Sequence, residues 1–383
     1  MIQMMTAYTT EIDEIEDGIN EILGQIDFGK LKTNSAGLVT CHYDFAQTDF
    51  IEKLREKLPF DIIGMTTLAS ANNHGFDMYA LTLTVLTSDD IIFKTALSKP
   101  INNENFTENI DALYKGITKD TEGDPSLIIA FFPYLKDLSG AHLLNALDKA
   151  CGGIPVWGSL ATNIDVDYER CHAFRNEIAG QSSMAILLMY GEIDPDFIII
   201  SIPEQNITNA HGVITESDGC ILKKINGLPA LEYLESIGVT FIEKATAITP
   251  LMVYYDNNTE PVALAIYSIL DDGGFLCGGE MTEGAALAVG EISSQGILAT
   301  ARDALDKLQA AGKKDGALIL PCMTRYIMLT SNQNAELELI YNSMQNKMPF
   351  IMGYSGGEVC PVRDSSGRLY NRFHNFTFSA CVF

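Results

Sequence analysis

One pattern recurs three times and constrains the chain more than any other feature: an apolar strand, an amphipathic helix, and a second apolar run that ends in glycine. In the first copy, residues 36–43 form the β-prone run and residues 48–58 place Ile51, Leu54 and Leu58 on one helical face. Phe60-Asp61-Ile62-Ile63 then leads into Gly64. In the second, residues 127–132 are followed by Ser139 as a helix cap, by Leu143, Leu144 and Leu147 on one face, and by Ile154-Pro155-Val156-Trp157 before Gly158. In the third, residues 317–320 precede a helix through Leu337, Ile340 and Met344, with Asn334 at its start, and Pro349-Phe350-Ile351-Met352 runs into Gly353. A strand, a crossover helix and a parallel strand need about 30 residues, the length each copy supplies. Each copy is followed by a return strand, expected at residues 78–86, 183–190 and 373–382. The glycines are expected where the backbone turns at a sheet edge, beyond which ligand crevices are common.

The fold class is therefore α/β, a mixed α+β arrangement of β-α-β-β units, expected as two associated lobes of mixed sheet with flanking helices. Hairpins are expected at Ser217-Asp218-Gly219, at Asp271-Asp272-Gly273-Gly274 and at Ser366-Gly367. Asn226-Gly227-Leu228-Pro229 opens a short helix that Gly238 can stop, and another helix follows Ser293-Ser294. Residues 1–33 read as an N-terminal amphipathic helix, with Ile12, Ile15, Ile19, Ile22, Leu23 and Ile26 at helical spacing and Thr10 with Asp13 resembling a capping box. The remaining expected boundaries are 34–240 and 241–383.

Composition excludes several functions. With 25 Lys and Arg against 50 Asp and Glu, the formal charge is −25, opposite to what a phosphate backbone or an anionic membrane attracts. Neither nucleic acid nor membrane is an expected partner. The acidic N-terminus lacks the basic start of a secretory signal, and no apolar run has the roughly 18 residues of a membrane span. The eight cysteines show no metal or redox spacing and read as reduced thiols of a cytoplasmic protein. The six histidines show no ligand spacing, so neither metal nor cofactor is expected.

An ordered set of motifs resembles FIST domains. Residues 128–132, Pro155-Val156-Trp157-Gly158-Ser159, the strand 185–191 and Asn226-Gly227-Leu228-Pro229-Ala230 are similar to the FIST N part. Cys322-Met323-Thr324-Arg325, Gly353-Tyr354-Ser355-Gly356-Gly357-Glu358 and Phe373-His374-Asn375-Phe376-Thr377 are similar to the FIST C part, in order and approximate spacing. The resemblance covers residues 34–383. It implies an intracellular sensory module that binds a small ligand, with amino acids proposed among such ligands, and that passes its signal to a separate output protein.

Within these motifs Arg325 is a candidate to hold a ligand carboxylate or to lower the Cys322 thiol pKa, against a buried inert cysteine beside a surface arginine. Ser355, Gly356, Gly357 and Glu358 read either as an anion-binding turn or as a tight turn; no Lys-Ser or Lys-Thr pair makes it a Walker loop. His374 and Asn375, expected at the start of the last strand and on opposite faces, are hydrogen-bonding candidates with Glu358. Trp157 and Ser159 line a crevice or belong to the core. Arg175 and Arg363 are weaker candidates for a carboxylate. Three functions remain open: a sensory binding protein, a cysteine-dependent hydrolase or transferase using Cys322 with His374, and an interaction scaffold.

Overall fold

The computed structural model describes the chain apart from residues 137, 164–167, 179, 181, 210, 242–247, 256–259, 313 and 314. The three copies form as the spacing predicts. Asn34–Cys41 pairs in parallel with Ile62–Thr66, Leu127–Phe132 with Val156–Leu160, and Ala317–Pro321 with Phe350–Gly353. The crossovers are the helices Phe50–Lys57, Gly140–Cys151 and, in the third copy, Met323–Met328 followed by Ala335–Met344. Ser139 caps its helix by accepting from the His142 amide. Return strands Leu81–Ser88, Ala185–Tyr190 and Phe378–Val382 lie antiparallel to each first strand.

Each unit has one more strand than the periodicity suggested. Gln3–Thr9, Ile92–Leu97 and Asp196–Ile200 pair with the three return strands. The helices Ile15–Gln25, Phe106–Thr118 and Ser294–Ala310 follow them. Residues 1–33 thus hold an edge strand as well as the amphipathic helix, whose cap position is Glu14 with no side-chain bond rather than a Thr10 box. The segment 373–382 is two strands, not one: Leu369–His374 ends before Asn375, and Phe376 at φ +63° turns the chain into Phe378–Val382.

The units exchange strands in a closed ring. Between its second and return strands, the first unit sends Ser70–Asn72 and Gly75–Asp77 into the third unit's sheet. The third sends Glu358–Arg363 and Leu369–His374 into the second's, and the second sends Ala173–Arg175 into the first's. Strands on both sides of residue 240 therefore share sheets, and residues 242–247, just past that expected boundary, lie outside the described residues. The inner faces meet in one core that includes Leu38 and Ile63, Ile129 and Trp157, and Leu318 and Ile351. The outer faces pack separately under the helices, with Val39, Ile128 and Ile319 in three different clusters. Strands covered on both sides read as continuous apolar runs, which is why they were visible in the sequence.

Gly353 ends its strand as expected, whereas Gly64 and Gly158 sit inside theirs, where backbone or side chains approach closely. A Cβ on Gly158 would lie 1.8 Å from the Ala130 carbonyl oxygen, and one on Gly64 would lie 2.4 Å from the Phe174 ring.

Between Asp196–Ile200 and Ser294–Ala310 the third unit carries an inserted antiparallel sheet. Its order runs Val262–Leu264, Leu251–Tyr254, Ala286–Val289, Gly212–Asp218, Ile221–Ile225, Phe275–Cys277 and Ile266–Ile269, with the helix Ala230–Ser236 packed on it. The expected hairpins at 217–219 and 271–274 close here, and the one at 366–367 joins Glu358–Arg363 to Leu369–His374.

Candidate functional site

Arg325 is buried and fully committed. Its Nε and Nη2 donate to Glu336 Oε1 at 2.9 and 2.6 Å, Nη1 donates to the Phe376 carbonyl at 3.2 Å, and Nη2 donates to the Ile297 carbonyl at 2.8 Å and to Thr300 Oγ1 at 3.1 Å. Tyr354 donates its hydroxyl to the other Glu336 oxygen at 3.3 Å. The guanidinium offered by the sequence as a carboxylate clamp thus ties three helices and the turn at Phe376 together.

Cys322 follows the strand Ala317–Pro321, with its amide donating to the Thr377 carbonyl at 2.8 Å. Burial, and after it the charge of Glu358, push its thiol pKa far up. His374 is engaged elsewhere, its Nε2 donating to the Cys360 carbonyl at 3.2 Å. Burial pulls its pKa down to about 4. A thiol raised mainly by burial and an imidazole turned to a carbonyl do not make an activated nucleophile and its base.

Glu358 is the chemical centre of the motif. It is buried; its Oε1 accepts from Ser355 Oγ, and its Oε2 accepts from Thr377 Oγ1 at 2.5 Å and from the Thr377 amide at 3.3 Å. Burial outweighs these bonds and raises its pKa to about 8, so it is largely the neutral acid at pH 7. The glycine turn is internally satisfied. Gly356 donates to the Leu160 carbonyl at 3.0 Å and Gly357 donates to Ser355 Oγ at 3.2 Å, leaving neither amide to cradle an anion.

Trp157 and Ser159 belong to the packing. Trp157 Nε1 donates to Ser379 Oγ at 3.0 Å within the central core, and Ser159 Oγ donates to the Leu160 carbonyl at 2.7 Å beside Glu358 in the strand register. Arg175 donates to Asp61 at 2.6 Å and Arg55 to the same carboxylate at 2.9 Å, which holds the Asp61 pKa down at about 2 despite the opposing effect of burial. All eight cysteines are buried thiols.

The segment His374–Thr377 joins these groups to a cavity. Asn375 is the clamp of the inserted sheet: its amide donates to the Ala263 carbonyl at 2.8 Å and its Oδ1 accepts from the Ala265 amide at 3.0 Å. On either side of it, His374 and Thr377 line a cleft of about 460 Å³, large enough for a small molecule. Its walls are Ile199, Ile200 and Ile202 from the body and Met252, Tyr254 and Pro261 from the inserted sheet; Glu204, Glu260 and Lys307 are exposed around it.

The edge strands of the other two units also line grooves against the helices that follow them, in the first unit at the opposite end of its strand. The groove along Gln3–Thr6 and Gln25 has about 270 Å³, and that along residues 95–99 and Asn109 to Ile117 about 380 Å³; both are more open. Only in the third unit does the inserted sheet cover the groove. Of the sequence candidates, the structure gathers Cys322, Ser355, Glu358 and His374 around Thr377, with Ser159 beside Glu358 in the register, whereas Arg325 and Trp157 are engaged elsewhere. The cleft residues Tyr254, Glu260 and Lys307 carry no sequence signal, because they come from segments distant in the chain.

Among the described residues no group of three or more His, Cys, Asp or Glu is placed to hold a metal ion, and no helix is long and apolar enough to cross a membrane. A comparison with curated proteins finds no match. The family models for the FIST N domain and the FIST C domain match residues 35–228 and 230–361, which together span most of the chain. With these motifs in one ring of strand-exchanging units, the chain belongs to the FIST family, whose domains serve as sensory domains in signal transduction.

Proposed function

We propose that the protein is a cytoplasmic sensory protein that binds a small molecule, amino acids included, in the cleft between the inserted sheet and the strand Asp196–Ile200, and that it signals through a separate protein. The observation that carries this reading is the asymmetry among the three units: one groove of three is roofed by an insertion, and its floor is the motif segment His374–Thr377. Ligand contact with His374 and Thr377 would reach the inserted sheet through Asn375 and the buried acid through Thr377. The output surface would then be the inserted sheet.

The test is a thermal-shift screen of amino acids, organic acids and amines on the wild type and on Ile200→Trp, which places an indole ring in the cleft. A ligand at 100 times its dissociation constant stabilises the native state by about 2.7 kcal/mol. A shift in the wild type that disappears in Ile200→Trp supports the cleft. A shift of equal size in both proteins places the ligand elsewhere, and no shift with any class favours a scaffold.

A further inference from the structure

We propose that the cleft recognises the cationic amino group of an apolar-bodied ligand and makes no provision for a carboxylate. The inference rests on reading this cleft as the ligand site. Its argument is the sign of the charged groups that line the cavity. Glu204, in the turn after Ile202, and Glu260, just before the strand Val262–Leu264, stand on opposite walls. Their charges converge on the Tyr254 hydroxyl, where they add to burial in raising its pKa.

The floor contributes acceptors as well. A carbonyl oxygen can only accept, so the 3.2 Å contact from His374 Nε2 to the Cys360 carbonyl makes Nε2 the protonated nitrogen and leaves Nδ1 with a lone pair. Burial keeps this ring neutral at physiological pH. Against these stand one lining cation, Lys307, whose Nζ lies 3.3 Å from Asp303 with both side chains more than half exposed, and Arg372, outside the lining, whose charge adds to burial in lowering the His374 pKa. The other cation expected here, Arg325, is consumed by Glu336.

An ammonium brings three donors and no acceptor, which complements two carboxylates and an imidazole lone pair. Its hydrocarbon body would lie against Ile199, Ile200, Ile202 and Met252. A carboxylate would meet two like charges and find no unengaged guanidinium. In an amino acid ligand, the amine would enter this acidic site and the carboxylate would be left at the opening.

Three probes of one chain length separate the contributions: hexylamine, hexanoate and 1-hexanol, each titrated calorimetrically into the full chain at pH 7.5. Hexylamine is expected to bind about tenfold more tightly than hexanol, a difference of one ion-pairing contribution, and hexanoate more weakly than either. In the double variant Glu204→Gln, Glu260→Gln, whose exposed side chains leave the fold intact, hexylamine should fall to the hexanol level. If hexanoate binds as tightly as hexylamine, or the double variant leaves hexylamine unchanged, amine recognition is overturned while the cleft stands. If none of the three binds, or Ile200→Trp leaves all three unchanged, the cleft itself fails as the ligand site.

Discussion

Arg325 and Glu358 sit in neighbouring motifs and have opposite solutions to being buried. Arg325 is neutralised by Glu336 at 2.6 Å, so Arg325→Ala would strand a carboxylate in the core and cost about 3–5 kcal/mol in urea unfolding, with no change in cleft binding beyond that loss of stability. Glu358 has no cation in contact and keeps its proton instead. Because its folded-state pKa of about 8 lies above the ordinary 4.5, the folded protein holds a proton that the unfolded chain has released between those values. The associated stability is complete below about pH 4.5 and is lost as the pH rises to about 8. Glu358→Gln, an uncharged isostere, should therefore flatten the fall of melting temperature between pH 5.5 and 8. Parallel profiles for the two proteins would show that Glu358 is not the titrating group. Residue identity announced that both side chains mattered; it could not tell a ligand clamp from an internal ion pair, since that depends on Glu336 lying 11 positions downstream in a helix that folds back.

At the scale of elements, the doubly covered strands were legible because burial on both faces leaves an unbroken apolar run. The edge strands were not. Gln3–Thr9 alternates buried and partly exposed positions over few residues, and Ile92–Leu97 is only half-buried, so neither stands out from its surroundings. The break at Asn375–Phe376 was hidden too, because Phe376 adopts a left-handed conformation that favours glycine and asparagine and is held there by the Arg325 bond to its carbonyl. The recurrent glycines are equivalent in sequence position but not in packing. Gly158→Ala would press a methyl into the Ala130 carbonyl and should cost about 3 kcal/mol, whereas Gly353→Ala meets Thr40 Cγ2 at 3.0 Å and should cost less than half as much. Equal losses in denaturant unfolding would mean that the backbone yields at Gly158.

Over the whole molecule, strand exchange links the three units, while the strands of the inserted sheet form a sheet of their own. Asn375→Ala removes the acceptor of the buried Ala265 amide and should cost about 1–3 kcal/mol while speeding hydrogen exchange at Ala265 and its neighbours in Val262–Leu264 more than at Leu318 in the central core. Uniform exchange changes would indicate that sheet and body open together. The sequence by itself determined the brick, the number of its copies, the hairpins of the inserted sheet and the acidic, cysteine-reduced character, because each depends on local periodicity or on composition. Only the tertiary structure decided which unit a departing strand joins, that Arg325 is spent inside the core, and that one groove in three is covered. Those outcomes come from contacts between residues far apart in the chain, and pairing across such distances leaves no period in the sequence to read.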